Sequence, residues 1–111
     1  MRKITVLRSS HSLYRLALAW PAVEHRPVPG FESDPDPWTR TTFNFKELAH
    51  LADVSPRETL AGFIRLKAHR IIRPDGTLDE KVEKFFKAEA LAGFGLKVKP
   101  SKEKSDPLDK E

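Results

Sequence analysis

Apolar residues return at helical spacing in four stretches of the chain. Leu13, Leu16, Ala17 and Trp20 follow the i, i+3, i+4, i+7 pattern of one buried face. Ser9 or Ser10 can cap that helix, and Pro21 stops it. Phe45, Leu48, Ala49 and Ala52 (or Leu51) form a second stripe. Asn44 opens it as N-cap, Glu47 completes a capping box, and Asp53-Val54 breaks it. The third helix starts at Ser55-Pro56-Arg57-Glu58: a serine cap, a proline at the first helical position and a glutamate three residues after the cap. Leu60, Phe63 and Ile64, with Ala68 and Ile71 further on, are its predicted buried side, so that Leu48, Leu60 and Ile64 share one core. Arg57, Arg65 and Arg70 face away. In the fourth stretch Thr77 and Glu80 read as a capping box, which predicts a helix from Leu78 with Val82, Phe85, Phe86 and Leu91 on its apolar stripe. Gly93 and Gly95 end it.

Between these stretches the pattern changes. Ile4 and Val6 alternate around Thr5, which predicts a short strand over residues 2–7. Residues 21–40 hold Pro21, Pro27, Pro29, Pro35 and Pro37 and read as a long irregular connection, pinned to the core by Trp38 and Phe31. Thr41-Thr42-Phe43 is a brief predicted strand, and Ile71-Ile72-Arg73 another, running into the turn Pro74-Asp75-Gly76. From Lys97 to Glu111 only Val98 and Leu108 are apolar, the composition of a disordered tail. The predicted layout is an N-terminal strand, helix and Pro-rich connection over 1–40, a helical core over 41–96 and a tail over 97–111.

A chain of 111 residues suffices for one domain and not for two with a linker. The absence of cysteine excludes disulfide scaffolds, thiolate zinc sites and thiol catalysis. The net charge of +4 is unevenly spread. Residues 1–30 are net +4 and residues 31–55 net −3. Residues 56–75 are net +3, from Arg57, Arg65, Lys67, Arg70 and Arg73 against Glu58 and Asp75. Basic blocks attract polyanions, of which nucleic acid is the commonest in a cell. The longest apolar run, Leu16 to Trp20, is far below the roughly 20 residues of a membrane span. Arg8, His11 and Arg15 interrupt any signal-peptide core, so a cytoplasmic location is expected.

The block from Thr41 to Thr77 resembles the winged helix-turn-helix family of DNA-binding domains. The likeness is carried by the strand Thr41-Thr42-Phe43, then Glu47-Leu48-Ala49, Val54-Ser55 at the turn and Thr59-Leu60 early in the second helix. Ile64, Leu66 and the run Ile71-Ile72-Arg73-Pro74-Asp75-Gly76 at the place of the first wing strand and wing turn complete it. The resemblance implies a mainly α fold with short β-strands, a winged helix-turn-helix-like single domain with a rudimentary wing. It also implies that the 56–69 helix enters the major groove while the wing touches backbone or minor groove. By position it points to Ser55, Arg57, Glu58, Thr59, Gly62 and Arg65 on the helix, and to Arg73, Asp75, Gly76 and Thr77 on the wing.

No catalytic constellation stands against this. His11, His25, His50 and His69 are scattered, and no two have the i, i+4 spacing of a helical metal site. Ser9, Ser10 and Ser12 flank His11 in sequence, and sequence neighbours on a helix do not share a face. There is no glycine-rich phosphate loop. A non-enzymatic DNA-binding protein without cofactor is expected, a transcriptional regulator or mobile-element accessory factor. The alternative is a helical protein-interaction module. In that case the contact is the 21–40 segment or the Phe85 face. Small DNA-binding regulators commonly pair to read two half-sites, and the 78–92 helix offers such a homodimer contact on duplex DNA.

Overall fold

The computed structural model describes residues 2–93, which run α1 (Arg2–Arg8), α2 (His11–Ala19), a single 3₁₀ turn (Trp20–Ala22), β1 (His25–Pro27), β2 (Thr41–Phe43), α3 (Phe45–Ala52), α4 (Pro56–Ala68) and α5 (Glu80–Ala92). The fold is mainly helical with one small antiparallel sheet. The predicted tail over 97–111 and the Gly95 stop lie outside the described residues.

Side-chain caps set the helix starts. Ser10 accepts the Leu13 amide at 3.4 Å. Asn44 accepts the amides of Lys46 and Glu47 at 2.9 and 3.1 Å. Ser55 accepts the Glu58 amide at 3.2 Å, with Pro56 at the first helical position where no N–H is needed. Each such cap contributes about 1 kcal/mol. Gly93 closes α5 at φ 82°.

α2 is the hub: α1, α3 and α4 all pack against it. Leu13, Leu16, Ala17 and Trp20 are buried, as their spacing predicts. Leu48, Leu51 and Ala52 from α3 join them, with Leu66 from α4, Ile71 and Ile72 after it, and Val82 and Phe86 from α5. Helix α2 lies in the predicted N-terminal segment, yet it shares one core with everything up to α5.

Several elements differ from the sequence expectation. Residues 2–7 belong to helix α1, and Leu7 is fully buried against the core with Ile4 and Val6 partly covered. The β-branched alternation there also fits a helix, and contact with α2 and α5 decides between the two. The 21–40 segment contains β1, paired antiparallel with β2 in the register His25–Phe43, Arg26–Thr42 and Pro27–Thr41. Pro27 is tolerated because this is a two-stranded edge pair. Trp38 anchors the segment, 5.9 Å from the Trp20 ring and 5.7 Å from Phe63, whereas Phe31 is exposed.

Helix α5 starts at Glu80, not Leu78, because Asp79 caps it, accepting the Lys81 amide at 3.0 Å. Thr77 is used elsewhere: its hydroxyl donates to Asp75 at 2.6 Å. Leu78 forms a bridge with Ile72, so residues 72–78 make a short hairpin around Gly76 at φ 93°. Leu91 is almost wholly exposed instead of sharing the α5 stripe, while Phe86 is buried and Phe85 half-buried, edge-on to Tyr14.

Candidate functional site

α3 and α4 are joined by a tight turn. Asp53 adopts the left-handed conformation at φ 59°, which Asp tolerates better than most residues. Its amide bonds the His50 carbonyl at 3.1 Å, and the Val54 amide bonds Ala49 at 3.1 Å. Arg15 of α2 lies 3.8 Å from the Asp53 carboxylate. Thr59 clamps the start of α4 from inside, its hydroxyl donating to the Ser55 carbonyl at 2.7 Å.

The face that α4 buries consists of Thr59, Gly62 and Leu66 with Phe63 partly covered. Leu60 and Ile64, predicted as core, are 54 % and 57 % exposed, and Ala68 is exposed as well. The stripe is therefore rotated from the predicted one. Gly62 is the physical reason: a Cβ there would overlap Leu16 Cδ1, so α2 and α4 approach closely along the line through Gly62 and not along Leu60 and Ile64.

This rotation sorts the candidate contact residues. Arg57 and Arg65 on α4, and Arg73 on the hairpin, are exposed, and none takes part in an ion pair among the described residues. Ser55 is exposed and serves as the α4 cap. Thr59 and Gly62 are buried and offer nothing to a ligand on the outer face. Gly76 is also buried, under His25: a Cβ there would stand 2.6 Å from His25 Nδ1. These three residues shape the scaffold. Glu58 accepts the Ser12 hydroxyl at 3.3 Å, which draws its carboxylate toward α2.

The hairpin is fixed to the same body as α4. The Trp20 indole N–H donates to the Arg73 carbonyl at 2.8 Å. Trp20 also packs on His25, Phe43, Trp38 and Phe63, with ring centroids 4.4, 4.8, 5.9 and 5.9 Å away. Asp75 is held below the usual carboxylate range, first by the Thr77 hydroxyl and amide and then by the Arg73 charge. His25 is pushed down from its usual value by burial, against the opposing pull of a Val23 backbone hydrogen bond and the Asp75 charge.

Two basic residues had weak signals in the sequence. Lys67 sits with its Nζ 5.1 Å from the Trp38 ring and 5.7 Å from Phe63, a cation–π position at the edge of the outer α4 face. Arg40 lines an open cleft beside the hairpin with Arg73 and with the carboxylates of Glu32 and Asp75, among Pro27, Thr41 and Pro74. Their placement depends on Trp38, whose pinning of the segment the sequence predicts, and on β1, which the proline-rich composition concealed. Among the described residues no three His, Asp or Glu side chains group as a metal site requires, and no helix is long and apolar enough to cross a membrane.

The chain has no significant match among protein-family models, curated protein sequences or solved structures.

Proposed function

We propose that this protein is a non-enzymatic duplex-DNA-binding domain of winged helix-turn-helix type, with α4 in the major groove and the 72–78 hairpin as a minimal wing. One observation carries this: Arg57 and Arg65 stand exposed on α4 without an ion-pair partner among the described residues, and the exposed Arg73, whose charge acts on Asp75, stands on a hairpin that one aromatic cluster holds to the same body. Exposed cationic side chains on a rigid frame suit a polyanion of regular geometry. Helix α3 and the Asp53 turn then set the angle at which α4 is offered. Arg57 and Arg65 contact phosphates along one strand, and Arg73 contacts the backbone beside the wing, with Arg40 and Lys67 adding to the field. The biological role that fits is regulation of transcription or service to a mobile element. A fluorescence-anisotropy titration on random-sequence duplex at low salt tests the proposal, and absence of binding there contradicts it.

A second reading, a protein-interaction module, is favoured by Leu91 at 90 % and Phe31 at 45 % exposure. A homodimer through α5 would cover Leu91 and is checked by sedimentation of wild type and Leu91→Glu.

A further inference from the structure

The outer surface of α4 exposes no neutral hydrogen-bonding side chain, since its one threonine, Thr59, is buried. At about 100° per residue, Leu60, Ile64, Arg57, Ala68 and Ala61 fall on one continuous strip. Lys67 lies along one border of that strip and Arg65 along the other, beside Glu58, whose carboxylate accepts the Ser12 hydroxyl of α2. Leu60 and Ile64 are more than half exposed despite their size.

An occupant of this strip must be apolar along Leu60, Ile64 and Ala68, and anionic on both sides and at the Arg57 end. A second protein is a poor fit: two half-exposed aliphatic side chains fall far short of the roughly 800 Å² per partner of a stable interface. A major groove has the required layout. Phosphates form both walls, base edges form the floor, and the apolar feature of that floor is the C5 methyl of thymine. Resting on the DNA-binding function above, we propose that Leu60 and Ile64 read thymine methyl groups, so that this domain prefers major grooves rich in A·T pairs and recognises them by apolar contact. Hydrogen-bond readout from α4 is then confined to its charged side chains, and the principal duty of the basic ones here is the phosphate walls.

The test compares the full chain on alternating dA-dT duplex and on alternating dA-dU duplex, which differ by the C5 methyl. Affinity for the dA-dT duplex is expected to be about tenfold higher, the order of magnitude for two methyl groups removed from water. The Leu60→Ala/Ile64→Ala double variant is expected to bind both duplexes equally, at the level of wild type on dA-dU. Both positions are exposed, and circular dichroism verifies that the variant folds. Arg57→Ala is expected to weaken binding to both duplexes while keeping the ratio. Equal wild-type affinity for the two duplexes overturns methyl reading and leaves DNA binding standing. Retention of the preference in the double variant overturns the assignment to these residues. No binding to either duplex at low salt overturns both proposals.

Discussion

The indole of Trp20 and the backbone of Arg73 are joined across 53 positions of sequence, Nε1 donating to the carbonyl oxygen at 2.8 Å. Trp20 is 1 % exposed and ends the helix α2 around which the core is built, so this bond ties the hairpin to the centre of the molecule. Trp20→Phe removes the donor while keeping an aromatic ring. The Arg73 carbonyl keeps its bond from the Gly76 amide at 3.1 Å, so the expected cost is about 0.5–1.5 kcal/mol, the range for one intramolecular hydrogen bond. Urea denaturation measures the loss. An unchanged midpoint would mean the hairpin is not anchored there.

The register of α4 makes two leucines unequal. Leu66 is 1 % exposed and Leu60 is 54 % exposed. Leu66→Ala is expected to destabilise by roughly 2–5 kcal/mol. Leu60→Ala should stay within about 0.5 kcal/mol of wild type. Paired denaturation curves decide it, and reversed effects would restore the register read from periodicity alone.

Gly62 is the point where α4 crosses α2, and the fully buried Leu16 leaves no free direction for a new methyl group. Alanine would gain about 1 kcal/mol of helix propensity. Overpacking costs about 1–3 kcal/mol. The expected net effect of Gly62→Ala is a lower melting temperature, read by calorimetry. A clear rise would show that Leu16 can move aside.

His25 gives stability a pH dependence of defined sign. Burial lowers its folded-state pKa below the unfolded 6.5, outweighing the Val23 hydrogen bond and the Asp75 charge. The unfolded chain therefore takes up a proton before the folded chain does. The contribution is complete above about pH 6.5 and is lost as the pH falls toward the folded value. Denaturation midpoints at pH 7.5 and 5.5 are expected to differ more for wild type than for His25→Gln. A buried Nε2 without a hydrogen-bond partner agrees with an imidazole kept neutral.

Caps and turns were legible because single residues determine them: Ser55, Asn44 and the Asp53 break act within three or four positions of themselves. Strand β2 and the 71–76 turn were read for the same reason. Helix faces were harder. Leu60, Phe63, Ile64 and Leu66 spread apolar side chains over about 160° of α4, and only the close approach of Gly62 to α2, a tertiary fact, selects the inner side. That same fact moved Thr59 and Gly62 out of the contact set and brought Leu60 and Ile64 to the surface. β1 and α1 were missed because their pairing partners lie elsewhere in the chain. The basic outer positions, Arg57 and Arg65, were legible since a charge four-fold removed from the core pattern has nowhere else to go.

The salt dependence of duplex binding tests the central claim most directly. Each phosphate neutralised contributes about 0.9 to the slope of log K against log salt, so the Arg57→Ala/Arg65→Ala/Arg73→Ala variant should lose roughly 2.7 of that slope. Lys84 and Lys87, exposed on α5, serve as the control, and replacing both is expected to leave the slope nearly unchanged. Anisotropy titrations of wild type and the two variants over a series of salt concentrations supply the numbers. A selective loss in the arginine variant is the expected result. Equal losses in both variants, or no wild-type binding at the lowest salt, would contradict docking through α4 and the hairpin.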